Sequence, residues 1–150
     1  MKVVIYLAGD LLGGEERWRP KVVKAIGNDS AEFLSPIDDC TYKYYDFKQR
    51  SEDEKVFALA DLAKVDACHI LFAYVRESPS RHSGTSAEIG YAKARGKKIF
   101  LVNDMKKTLW HLYEFIDMLA DKNFDTLSRG IEYLKRYIAE MNYKIEENSQ

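Results

Sequence analysis

Strand-like apolar runs alternate with helical stripes along this chain, which places it in the α/β class as a doubly wound, parallel sheet of about five strands with helices on both faces. Three observations carry that reading. The apolar runs Ile70-Leu-Phe-Ala-Tyr-Val75 and Lys98-Ile-Phe-Leu-Val102 flank residues 83–96 in the order strand, loop, helix, strand. Lys2 to Ala8 is a further apolar run with β-branched residues that ends at Gly9, as a buried parallel strand does. Between these runs the apolar residues recur at helical spacing.

The first strand is followed by Gly9-Asp-Leu-Leu-Gly-Gly14, a glycine-rich connection at a strand's carboxyl end, where open α/β sheets meet their ligands. No Gly-Lys-Ser/Thr follows, so it is not a P-loop, and it lacks the G-x-G-x-x-G spacing of a dinucleotide site. Glu15 to Ile26 carries Trp18, Val22, Val23 and Ile26 at helical spacing, with Pro20 near the start and Gly27 at the stop. Arg17 and Arg19 fall at the mouth of any pocket there, either as a solvated first turn or as holders of a phosphate. Ala31 to Leu34 reads as a short second strand closed by Ser35-Pro36. Residues 37–50 read as a long polar loop, and Tyr42, Tyr44, Tyr45 and Phe47 either stack on a base or pack the loop onto the domain.

Ser51-Glu-Asp-Glu54 has capping-box spacing and opens a second helix that runs through Leu62-Ala63. Asp61 falls near its carboxyl end, where the helix dipole disfavours a negative charge. Ala67 to Val75 reads as the third strand, the centre of the sheet, and Lys98 to Asn103 as the fourth. Asn103 and Asp104 close that strand at its carboxyl end, in position to line a pocket of this chain or of a neighbour. Leu109, Leu112, Tyr113, Ile116 and Leu119 form a helical stripe, and Asn123-Phe124 a very short fifth strand. Asp125 is placed to cap a last helix striped by Leu127, Ile131, Leu134, Ile138 and Met141, with residues 143–150 frayed. The architecture expected from this alternation is flavodoxin-like, a single domain over residues 1–150.

Composition narrows the function classes. An apolar fraction of 46% and an aromatic fraction of 13% suffice for a real core. The net charge of −1, with both signs mixed, argues against a nucleic-acid stripe or a membrane-surface face. No run reaches membrane-spanning length, and no secretory segment opens the chain. Cys40 and Cys68 lack metal or redox spacing and read as reduced, cytoplasmic cysteines, while His69, His82 and His111 are scattered.

The stretch Ser83 to Gly96 is the most informative. Gly96 suits the left-handed position past a helix end, and Glu88 is expected in or near the first turn. Two readings of Glu88 follow. Thr85-x-x-Glu88 has the spacing of a capping box. Alternatively, Glu88 is a nucleophilic or ligand-binding carboxylate at the carboxyl end of a parallel strand. Tyr6 is equally open to two readings, as core or with its hydroxyl at a pocket.

Ser83-Gly84-Thr85-Ser86-Ala87-Glu88-Ile89-Gly90-Tyr91-Ala92, followed by Gly96-Lys97, resembles the signature of the nucleoside 2-deoxyribosyltransferase family, S-G-T-x-x-E-[IL]-G-x-A. Ile5-Tyr6-Leu7-Ala8-Gly9 resembles that family's first strand and glycine turn, and Asp61-Leu62-x-x-Val65 its D-L-x-x-I helix end. The resemblance implies transfer of 2-deoxyribose between nucleobases, with Glu88 as nucleophile. It implies Asp61 as the carboxylate that supports proton transfer to the leaving base, and Tyr6 as the hydroxyl that orients Glu88. Gly9, Ser83, Gly84 and Thr85 would sit against the sugar. No metal or organic cofactor is implied. The expected partners are a nucleoside or nucleotide and a free nucleobase, with at least a dimer completing the pocket. Two positions depart from the pattern. His82 stands where the family has a sugar-contacting Asp, and would bind a hydroxyl or an anion. His69 replaces an Asp and is read as structural. A related class, the deoxynucleoside 5′-monophosphate N-glycosidases, uses a similar Glu with water as acceptor, and Gly9-x-x-x-Gly13-Gly14 followed by Arg17 resembles its phosphate loop. A non-catalytic nucleotide-binding domain is the third reading.

Overall fold

The structure, a computed structural model, describes residues 2–10, 18–36, 52–77, 82–105 and 113–147. Strands and helices alternate along them: β1 (Val3–Gly9), α1 (Trp18–Ile26), β2 (Ala31–Leu34), α2 (Glu52–Ala67), β3 (Ile70–Arg76), α3 (Ser83–Ala94), β4 (Lys98–Asp104), α4 (Glu114–Leu119), β5 (Lys122–Phe124) and α5 (Leu127–Glu147). The strands pair in parallel in the order β2-β1-β3-β4-β5, the flavodoxin-like arrangement, whose switch point lies between β1 and β3. Central parallel strands are covered on both faces, and β1, β3 and β4 are correspondingly apolar and buried along most of their length.

Strand alternation divides the core into two layers. Val3, Ile5 and Leu7 of β1 pack with Trp18, Val22 and Ile26 of α1 and with Leu134 and Ile138 of α5. Tyr6 and Ala8 point to the opposite face, into a cluster with Val65 of α2, Ile89 and Ala92 of α3 and Ile116 of α4. The last helix is the amphipathic element its stripe predicts, with Leu127, Ile131 and Met141 also packed on the first layer.

Several boundaries differ from the sequence expectation for local reasons. Ala67 ends α2 rather than starting β3, because the helical bonding runs on until the Cys68 N–H reaches the Lys64 carbonyl at 3.1 Å. Asp61 therefore lies well inside α2 and not in its last turn. The last helix continues to Glu147, past the point expected to fray. Its start is capped by Thr126, whose Oγ1 accepts the Arg129 N–H at 3.4 Å, while Asp125 instead pairs with the Arg129 guanidinium at 2.8 Å. His69 is a structural side chain: its Nδ1 accepts the Val4 N–H at 2.9 Å, and its own N–H bonds the Val4 carbonyl at 2.9 Å. The expected loop at 37–50, Ser51 of the capping box, and Cys40, Leu109, His111 and Leu112 lie outside the described residues.

Gly130 is where α5 closes onto the sheet. A Cβ there would come within 2.4 Å of Val102 Cγ2 and 3.2 Å of Phe72 Cζ. Both partners are buried and Val is stiff at χ1, so the helix can approach this closely only with glycine. Replacing Gly130 by Ala sets a helix-propensity gain of about 1 kcal/mol against overpacking of about 1–3 kcal/mol. Overpacking should win: Gly130→Ala is expected to lower the thermal midpoint by a few degrees, whereas a solvent-facing glycine in a helix would raise it. Differential scanning calorimetry distinguishes the two.

Candidate active site

Helix α3 begins at Ser83, two residues before the Thr85 of the expected capping box. Its N-cap position is His82, in the left-handed conformation (φ 49°, ψ 28°) and without a side-chain cap. Glu88 consequently falls in the second turn, not the first, and its carboxylate does not close a capping box. It accepts a hydrogen bond from the Tyr6 hydroxyl of β1 at 2.8 Å. The Tyr6 ring is fully buried in the core, so the residue is both core and site: the ring fixes the hydroxyl, and the hydroxyl fixes one carboxylate oxygen.

The environment of Glu88 opposes its ionisation. Burial pushes its carboxyl up to about 7. The Tyr6 hydrogen bond opposes this, as do the charges of Arg19 and Lys64, while the negative charge of Asp61 reinforces it. Tyr6 is raised far above the usual phenol range, first by burial and then by the Glu88 charge, so it remains a donor.

Asp61 approaches from α2, close enough for its charge to act on both Glu88 and Tyr6. Its Oδ1 lies 3.7 Å from Lys64 Nζ, one turn along the helix, and that ammonium donates to the Ser35 carbonyl at the end of β2 at 2.8 Å. About a turn further along these helices Asp66 of α2 accepts the Tyr91 hydroxyl at 2.9 Å and Arg95 Nε at 2.6 Å, both from the α3 side. These two bonds hold the Asp66 carboxyl below the usual range. Asp66 follows Asp61 by five residues and Tyr91 follows Glu88 by three, so this contact joins the two helices that carry the site carboxylates.

The remaining sequence candidates are distributed as follows. Ser83 and Gly84 are exposed at the start of α3, and nothing lies within 4 Å of where a Gly84 Cβ would stand. Thr85 is buried. Gly9 leaves room that is already filled, since a Cβ would meet the Tyr74 carbonyl at 2.8 Å and Trp18 Cζ2 at 2.9 Å. His82 is 2% exposed, with Nε2 2.7 Å from the Arg76 carbonyl and its ring edge-on to Tyr113; bonding to a carbonyl makes Nε2 the protonated nitrogen. Arg19 is not the solvated first-turn residue of the first reading. It is 7% exposed and donates to the carbonyls of Leu7 (3.1 Å), Gly9 (2.9 Å) and Asp10 (3.1 Å), with its guanidinium over the Trp18 ring. It thereby satisfies the carboxyl end of β1. Arg17 lies outside the described residues.

Asn103 is buried and donates through Nδ2 to the Asp117 carboxylate at 3.2 and 3.3 Å. It faces a cavity of about 490 Å³ whose described lining comes from β4, α4, β5 and α5 and excludes Tyr6, Asp61 and Glu88. Among the described residues no cluster of three or more His, Cys, Asp or Glu side chains is arranged to hold a metal ion, and no helix is long and apolar enough to cross a membrane. Sequence reasoning missed Lys64 altogether; its only signal was the i, i+3 spacing to Asp61.

Fold and site together define a flavodoxin-like α/β protein that holds a half-buried, tyrosine-bonded glutamate beside a second carboxylate. The family model described as nucleoside 2-deoxyribosyltransferase matches residues 5–149, and the chain belongs to that family. Among curated proteins none matches the sequence significantly. Solved structures with the same fold include a 2-deoxyribosyltransferase from Bacillus psychrosaccharolyticus, 17% identical, with a TM-score of 0.66 over 85% of this chain and 89% of that one. A 2-deoxyribosyltransferase from Leishmania mexicana is 19% identical, with a TM-score of 0.63 over 89% and 97%. A CMP N-glycosidase from Clostridium botulinum is 19% identical, with a TM-score of 0.53 over 89% and 98%.

The raised Glu88 carboxyl has a consequence for stability. Its folded-state pKa of about 7 exceeds the ordinary 4.5, so the native protein binds this proton more tightly than the unfolded chain does. The stability that Glu88 contributes is present below about pH 4.5 and is lost as pH rises to about 7, a change on the order of 3 kcal/mol. Glu88→Gln removes this titration. Relative to the parent, the variant should gain up to about 3 kcal/mol in urea unfolding at pH 8 over its difference at pH 5.

Proposed function

We propose that this protein transfers 2-deoxyribose from one nucleobase to another through a covalent deoxyribosyl ester of Glu88. The observation that carries the reading is the 2.8 Å bond from Tyr6 to Glu88, made on the segment that bears the family signature and beside a second carboxylate. Tyr6 occupies one oxygen of Glu88 and leaves the other to attack the anomeric carbon. The N-glycosidic bond breaks through an oxocarbenium-like state, as in retaining glycosidases, and the glutamyl ester forms as the base departs. Asp61 supports protonation of the departing base. In the second half-reaction the acceptor base attacks the ester from the opposite side, Asp61 takes up its proton, and the Glu88 carboxylate is released. Partial burial suits the first half-reaction, because a poorly solvated carboxylate is a stronger nucleophile.

The alternative acceptor is water, which would make the protein an N-glycosidase acting on nucleoside 5′-monophosphates. His82 in place of the family's Asp points that way. Against it, Arg19 donates to three backbone carbonyls and His82 Nε2 to a fourth.

The decisive experiment is chromatographic. Deoxyinosine with free adenine should yield deoxyadenosine, while free base released only from monophosphates would overturn the transferase reading. Glu88→Ala should lower the exchange rate by about three orders of magnitude or more while far-UV circular dichroism is unchanged. Asp61→Asn should lower kcat by about 10²–10⁴-fold with a much smaller change in KM. With Glu88 titrating near 7, kcat/KM of the parent should rise with pH through neutrality.

A further inference from the structure

Lys64 belongs to none of the motifs that mark this family's site, yet it stands where three of its parts meet. Residue 35 directly follows Leu34, and Leu34 is the β2 partner of Tyr6 in the sheet register. The Ser35 carbonyl that Lys64 grips at 2.8 Å therefore lies beside the strand position whose hydroxyl holds Glu88. The same ammonium is 3.7 Å from Asp61 Oδ1, with both side chains mostly buried, at 15% and 20% exposure. An ordinary surface i, i+3 pair contributes little, because two long side chains must be ordered in high dielectric. Here the lysine is already ordered by the strand carbonyl, and partial burial strengthens its field.

We propose that Lys64 is a positioning residue of the Glu88–Asp61 site: anchored on the Ser35 carbonyl, its ammonium holds the Asp61 carboxylate in place and offsets the repulsion between the two carboxylates. This rests on the reading of Asp61 and Glu88 given above. Among the described residues, the charged and titratable groups whose fields act on the pair come from every adjoining element: Tyr6 from β1, Arg19 from α1, Asp61 and Lys64 from α2, and Glu88 from α3. Arg19 donates to three carbonyls at the β1 end, whereas Lys64 pairs with Asp61 at 3.7 Å. Two carboxylates at close quarters resist joint ionisation, so the cation that adjoins one of them governs the pH at which both are charged.

The test compares Lys64→Met, which keeps length and loses charge, with Lys64→Arg, which keeps charge. Carboxyl carbons of Asp and Glu are labelled with ¹³C and titrated by NMR, and kcat/KM for base release is measured against pH. In Lys64→Met the titrations of Glu88 and Asp61 and the acidic limb of kcat/KM should all move to higher pH, by about half a unit to one unit. At a pH below the limb this is a loss of about three- to tenfold. Lys64→Arg should restore most of the shift. If Lys64→Met melts at lower temperature but both titrations and the limb coincide with those of the parent, Lys64 is only a tether between α2 and β2 and the proposal is wrong. Should the parent release no base from any nucleoside or nucleotide, the carboxyl titrations still decide: a shift upholds the role of Lys64 while the enzymatic reading falls, and no shift removes both.

Discussion

The hydrogen bond between Tyr6 and Glu88 ties the site to the fold. It joins the central sheet to the helix that follows β3, and it does so from a ring with no solvent exposure. Every other element of the site is arranged around keeping a carboxylate in this half-dry position. Burial raises its proton affinity to the neutral range, and the tyrosine and two cations limit that rise. A carboxyl poised near neutrality can be ionised for attack and is still held in an environment that rewards charge leaving it. The molecule tolerates a destabilising group here because the surrounding core, with β1, β3 and β4 covered on both faces, over-determines its geometry.

Two basic residues near the strand ends illustrate how the same charge serves different ends. Arg19 presents a planar fork to three carbonyls that leave β1 in different directions, a task for which five fixed donors are suited. Lys64 presents a compact charge to one carbonyl and one carboxylate. The first makes the carboxyl end of β1 a rigid floor; the second ties the β2 end to the helix that carries Asp61.

The fold was largely legible in the residues, because apolar runs of strand length and amphipathic stripes such as Leu127 to Met141 report burial directly. Boundaries were less so. Ala67 was drawn toward the strand by the apolar residues after it, although alanine extends a helix readily. Residue 85 looked like a cap because Thr and Glu have the right spacing, and nothing local shows that His82 adopts the left-handed conformation that starts the helix earlier. The pairing of Tyr6 with Glu88, 82 residues apart, came within reach only through the resemblance to a family. The bonds that Arg19 and Lys64 make to strand ends escaped because they go to backbone carbonyls, which every sequence has and none displays.

The clamp at Asp66 gives the two carboxylates a common frame. Asp61 and Glu88 sit on separate helices, and Tyr91 and Arg95 bond from the α3 side to Asp66 on α2. The contact lies only about a turn along each helix from the carboxylates, so it bears on their spacing almost directly. It includes an exposed charge pair, weakened by dissolved ions. Dissolved salt therefore meets the frame of the two carboxylates at a solvent-facing joint.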